Sequence, residues 1–160
     1  NSQNLRKRAP SRADLMGRRS DPAAASAGTT PNHIIKHIED LLDNKIDIHY
    51  VSYISGHGLR KIMRARQEFT YVVEKLFDSQ EVFLFIRKNA GIDDYEMYQT
   101  YNMGQDYAIF LPATDVEKAQ AVIKDNGFDS LNAGFIEDGE RQVIIKPKNI
   151  TFAGETLNLR

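Results

Sequence analysis

The chain has 160 residues, enough for one domain with a sizeable core, and its 27% charged and 41% hydrophobic content is that of a globular protein. The absence of cysteine excludes a disulfide framework, a cysteine nucleophile and thiolate metal sites, and a formal charge of -1 gives no general case for nucleic acid as a partner. No apolar run approaches the roughly 20 residues of a membrane span and no secretory signal is visible, so the expected location is the cytoplasm, with no membrane partner.

The charge is uneven. Residues 1–31 carry six Lys or Arg against two Asp, a net of +4, so the other 129 residues carry -5. This segment has few large apolar residues and ends in Pro22-Ala23-Ala24-Ala25-Ser26-Ala27-Gly28. Such a composition buries too little surface to offset ordering entropy. It predicts a basic tail or linker over 1–31, read as a solvated extension rather than a nucleic-acid arm, and a folded domain over 32–160.

In the folded part, Thr30 and Pro31 suit the start of a helix, and Ile34, Ile35, Ile38, Leu41 and Leu42 mark its apolar face up to Asn44. A strand is predicted within Ile46–Ile54, followed by the glycine loop Ser55-Gly56-His57-Gly58 and a short basic helix through Lys61 and Arg64. Phe69–Val73 reads as a second strand. Ser79 is a candidate cap for a helix bearing Val82, Phe83 and Ile86, closed at Asn89-Ala90-Gly91. Asp93 and Glu96 have capping-box spacing for another short helix. The continuous apolar run Tyr107–Leu111 predicts a strand buried on both faces. Thr114 and Glu117 form the strongest capping box, for a helix with Val116, Ala119, Val122 and Ile123 inward and Gly127 at its end. Strands follow at Ser130–Ile136 and Gln142–Lys146, with Asp138-Gly139 between them as a hairpin signal, and Ile150–Phe152 as a short edge strand. The alternation predicts an α/β (α+β) domain, a sheet layered with helices.

Two corners carry the functional signal. Ser55-Gly56-His57-Gly58 joins a strand to a helix, and helix N-termini present free N–H groups that suit phosphate. His57, Arg60 and Lys61 add donors, although a tight turn needs glycine whether or not it binds a ligand. Thr100-Tyr101-Asn102-Met103-Gly104 places a side-chain amide and a glycine before the buried strand, and an ordinary turn would also use them. Tyr101 and Met103 read as core. Asp93, Asp94 and Glu96 read as an acidic helix start rather than Mg²⁺ ligands. His33 and His37, at i, i+4, lack a third ligand and read as a solvated pair; no metal site is predicted. No catalytic residue can be assigned, since spacing alone identifies no triad.

These residues resemble the C-terminal half of aminoimidazole ribonucleotide synthetase, also called phosphoribosylformylglycinamidine cyclo-ligase. That family has a His-Ile-Thr-Gly-Gly-Gly loop after a strand, where this chain has Tyr53-Ile54-Ser55-Gly56-His57-Gly58. It has a Glu-Met-Tyr-x-Thr-Phe-Asn-Met-Gly run, matched by Glu96–Gly104 with tyrosine at 101. The resemblance covers roughly residues 30–160. The second run points to this branch rather than to selenophosphate synthetases, thiamine monophosphate kinases or hydrogenase maturation factors. Two departures stand out: His57 breaks the glycine triplet, and Tyr53 replaces a histidine.

The resemblance implies the family's C-terminal fold and a part in ATP-dependent ring closure in purine biosynthesis. In that family, most of the ATP and Mg²⁺ site lies in an N-terminal domain. The implied partners are therefore an N-terminal ATP-binding domain or subunit and a phosphorylated small-molecule substrate; a homo-oligomer is compatible with the sequence. Ser55, Gly56, His57, Gly58, Asn102 and Gly104 are the expected substrate-binding residues, with Arg60 and Lys61 as phosphate contacts. The isolated chain is not expected to turn over. Two other classes stay open: a non-catalytic metabolite-binding module, and a protein-interaction module that uses residues 1–31 as a basic arm.

Overall fold

A computed structural model of the chain describes residues 14–19 and 31–157. One mixed sheet of seven strands organises it, and both helical layers pack on that sheet. The strands are β1 (Asp14–Arg19), β2 (Tyr50–Tyr53), β3 (Phe69–Val73), β4 (Tyr107–Phe110), β5 (Phe128–Asp138), β6 (Gln142–Ile145) and β7 (Ile150–Ala153). Their spatial order is β2-β4-β1-β5-β3-β6-β7. The α-helices are α1 (Pro31–Asp43), α2 (Glu81–Ala90), α3 (Asp94–Thr100) and α4 (Val116–Asp125).

The apolar run in β4 explains the two layers. Side chains alternate across a strand, so Tyr107 and Ile109 enter one core and Ala108 and Phe110 the other. The first of these cores joins the sheet to α1 and α4 through Leu41, Val116, Ala119, Ile123 and Phe128. The second lies beneath α3 and a 3₁₀ helix at Gly58–Arg64, where Leu59, Met63, Met97 and Tyr98 meet Tyr71 and Phe152. Both faces of β4 are thus covered, as its sequence predicts.

The helix ends follow the expected chemistry in part. Asp93 caps α3, its carboxylate accepting from the Glu96 N–H at 2.8 Å. Gly91 takes a left-handed φ of 66° and its N–H donates to the Arg87 carbonyl, ending α2. We expect Asp93→Ala to cost about 1 kcal/mol, measured by chemical denaturation, because one N-terminal N–H loses its acceptor. Ser79 does not cap α2; Gln80 occupies the cap position without a side-chain bond. Thr114 likewise does not cap α4, because Ala113–Asp115 wind into a 3₁₀ turn that places Asp115 there.

Three expectations fail for tertiary reasons. Asp138-Gly139 does not close a hairpin: β3 lies between β5 and β6, antiparallel to the first and parallel to the second. Its connection instead crosses the end of β3, where the Thr70 hydroxyl donates to the Glu140 carbonyl at 3.0 Å. The hairpin that does form pairs β6 with β7. Residues 14–19, read as tail, form β1 between β4 and β5, because two strand edges there supply backbone partners that composition does not reveal. The rest of the 1–30 segment, Thr30 included, lies outside the described residues. His37, read as solvated, is buried edge-on against Phe128 at 4.1 Å.

Candidate functional site

Sheet pairing brings the two corners together. β2 runs antiparallel to β4, with Tyr53 opposite Tyr107, and the Ile54 N–H donates to the Asp106 carbonyl at 2.8 Å. The loop Ser55–Gly58 therefore leaves the sheet beside Asn102–Asp106. Asn102 folds back as a local turn: its Oδ1 accepts from the Gly104 N–H at 3.2 Å, and its Nδ2 reaches Asp106 Oδ1 at 3.4 Å.

The glycine loop is tightly built at one end and open at the other. His57 has a φ of 77° and Gly58 a φ of 55°, both left-handed. A side chain at Gly58 would overlap the Tyr98 carbonyl oxygen and lie 2.8 Å from the Gln99 carbonyl carbon. Glycine is therefore required here by close approach to the end of α3. Gly56 faces open space. The exposed His57 ring turns onto its own loop, with Nδ1 3.0 Å from the Gly56 carbonyl oxygen.

The two cations divide. Arg60, only 9% exposed, donates from Nε to the carbonyls of His57 (3.4 Å) and Gln99 (3.2 Å), and from Nη1 to the Thr156 carbonyl. Burial pulls its basicity below the usual arginine range. Arg60 thus ties the loop, α3 and the 3₁₀ turn Gly154–Leu157 together, and its guanidinium is directed at carbonyls rather than at the loop's outer side. Lys61 donates its ammonium to Ser55 Oγ and lies 6.0 Å from the Tyr53 ring centre. Burial first and then Arg64 lower its pKa. Lys61 and Ser55 make a cation–hydroxyl pair at the mouth of the loop, suited to an anionic oxygen.

Gly104 faces elsewhere. A side chain there would sit 3.0 Å from the Asp78 carbonyl oxygen, beside a cleft of about 530 Å³ lined by Lys75, Phe77, Ser79, Tyr98, Leu131 and Lys148 among others. None of the predicted site residues lines that cleft. Gln105, fully buried, pins its wall. Its amide accepts from the Phe77 N–H at 3.1 Å and donates to the Phe77 and Met103 carbonyls, each at 3.0 Å. Asp106 joins the two corners and Gln105 ties the second corner to Phe77; neither is singled out by the sequence. The signal available was a polar pair at the mouth of an apolar strand. Asp94 pairs with Arg87 and with Lys148 (3.6 Å), consistent with a structural acid.

Among the described residues, no group of three or more His, Asp or Glu side chains is gathered as a metal site. None of the described helices is long and apolar enough to cross a membrane.

The mixed sheet with helices on both faces has the aminoimidazole ribonucleotide synthetase-like fold. The structure of the hydrogenase maturation protein HypE superposes with a TM-score of 0.58 at 17% identity, covering 86% of this chain and 50% of that one. A chain of the HypE–HypF complex gives 0.54 at 16% identity (91% and 53%), and tt0281 from Thermus thermophilus gives 0.52 at 17% (91% and 52%). In sequence, the chain is similar to phosphoribosylformylglycinamidine cyclo-ligases over part of its length. It is 38% identical over 92 residues to that of Methanosarcina mazei and 36% over 93 residues to that of Methanosarcina barkeri. These matches cover 58% of this chain and 27% of each relative, so the chain spans about a quarter of the length of the curated relatives it matches. No protein-family model matches it.

Proposed function

We propose that this chain is the C-terminal, substrate-side part of an ATP-dependent cyclo-ligase of purine biosynthesis, or of a close relative, acting in the cytoplasm. Similarity to two cyclo-ligases over more than half the chain carries this reading. The juxtaposition of the two corners supports it. On this reading Ser55, Gly56, His57, Gly58 and Asn102 form one wall of a cleft between two halves, and Gly104 serves the Asn102 turn, its N–H donating to Asn102 Oδ1. Lys61 and Ser55 hold a phosphate oxygen of the substrate. Asn102 sets the corner that faces it, and Arg60 supports the loop from behind instead of touching the ligand. ATP with Mg²⁺ would activate the formyl amide oxygen of the substrate from an N-terminal half, as domain or subunit. No step is assigned to them on this chain.

The test is ADP release with ATP, Mg²⁺ and formylglycinamidine ribonucleotide. The chain alone should release none; paired with a cyclo-ligase N-terminal half it should turn over. Lys61→Ala and Asn102→Ala should then each lower turnover about 10-fold or more while the fold persists. Release by the chain alone, or variants with unchanged turnover, would refute the reading. Substrate binding without ADP formation in the paired state would instead mark a non-catalytic metabolite-binding module.

A further inference from the structure

The cleft between the β3–α2 connection and the turn after β6 has about 530 Å³, a size that holds a small organic ligand. It is preformed on both sides. The Glu74 and Lys75 N–H groups donate to the Ala133 carbonyl at 2.7 and 3.0 Å, and the buried Gln105 amide holds the N–H and the carbonyl of Phe77. Opposite, Pro147 and Lys148 sit in a 3₁₀ turn closed by Asn149, whose φ of 53° is left-handed.

The lining has two characters. Phe77, Tyr98 and Leu131 supply an apolar wall, and Lys75, Ser79 and Lys148 supply donors. Two lysines against one acid, Asp78, give the lining a net charge of +1, on a domain whose residues 32–160 sum to -5. Such a local reversal of sign concentrates anions. Lys148 lies over the Tyr98 ring at 5.6 Å and 3.6 Å from Asp94, but that carboxylate also serves Arg87, so one negative charge is shared by two cations. Among the described residues, neither the Lys75 ammonium nor the Ser79 hydroxyl has a hydrogen-bond or ion-pair partner.

We propose that this cleft is a second ligand site, separate from the Ser55–Lys61 loop, for a small phosphate monoester with a flat apolar body. Three donors from two loops match the three terminal oxygens of a phosphate monoester better than the two of a carboxylate. Lys75 and Lys148 act as point charges on the phosphate and Ser79 as a neutral donor. The apolar wall takes the body of the ligand, so phosphate by itself meets only half of the site. None of the residues assigned to the proposed ring closure lines the cleft, and the inference stands apart from that reading.

Phenyl phosphate and inorganic phosphate, each titrated into the full isotope-labelled chain, test it by amide resonance shifts. Phenyl phosphate should shift residues 75–79 and 148 with a dissociation constant of about 1 mM or tighter, and inorganic phosphate should bind at least about 10-fold more weakly. Lys75→Ala and Lys148→Ala should each weaken phenyl phosphate about 5-fold or more with an unchanged circular dichroism spectrum, since both lysines are exposed. Lys61→Ala should leave these shifts as they are, which separates the cleft from the glycine loop. No binding of phenyl phosphate, shifts confined to residues 53–61, inorganic phosphate bound as tightly, or lysine variants that bind as well as the wild type would each overturn the proposal.

Discussion

Gly58→Val should cost about 3–5 kcal/mol of folding free energy, which lowers the thermal midpoint by roughly 10 °C. Two independent strains add at this position. The backbone φ of 55° lies in the left-handed region, where a β-branched side chain is a steric outlier. The added Cβ also overlaps the Tyr98 carbonyl oxygen and crowds the Gln99 carbonyl at 2.8–2.9 Å. Those atoms belong to the backbone at the end of α3, so no rotamer change relieves the overlap; the loop or the helix must move. Gly56→Ala provides the control. Nothing lies within 4 Å of its Cβ, and its cost should stay within about 0.5 kcal/mol. Thermal and urea denaturation of the two variants side by side checks the result. Equal stabilities would mean that the loop does not rest on α3.

Arg60→Met should cost about 2 kcal/mol and release the glycine loop. Methionine keeps most of the buried stem but removes every donor. The carbonyls of His57, Gln99 and Thr156 then lose a charged partner in a largely buried place. Relief from burying a guanidinium offsets part of this loss, and burial does depress its basicity. The three carbonyl dipoles outweigh that relief, because a solvated charge would not otherwise stay only 9% exposed. Urea denaturation measures the stability change. Hydrogen exchange should show faster exchange of the Gly58 amide, which donates to the Ser55 carbonyl at 3.0 Å. A variant of unchanged stability and exchange would mean that Arg60 does not hold the loop.

The local geometry around the two corners was legible in the sequence, because it depends on near neighbours. Asn102 turns onto the Gly104 N–H, and Asp93 caps three residues ahead; both need only neighbours along the chain. Roles that depend on distant partners were not legible. Arg60 and Lys61 are adjacent cations that looked equivalent as phosphate donors. One is used by carbonyls 39 and 96 residues away, while the other reaches the loop hydroxyl only six residues back. Gln105 is a polar residue whose value lies in Phe77, 28 residues earlier.

The chain by itself determined its periodic elements. Apolar spacing placed α1 and α4, and the unbroken run before Leu111 required a strand covered on both faces. These follow from burial and from the 3.6- and 2-residue periods, which act within a few residues. Only the tertiary structure decided which strands pair. Asp138-Gly139 carried a strong turn signal, yet β3 took both neighbouring edges, since Tyr71 and Val73 join Val143 and Ile145 in one buried core. In the same way Asp14–Arg19 became a strand because β4 and β5 left backbone groups to pair. Backbone hydrogen bonding is shared by every residue type, so composition cannot announce where it will be satisfied.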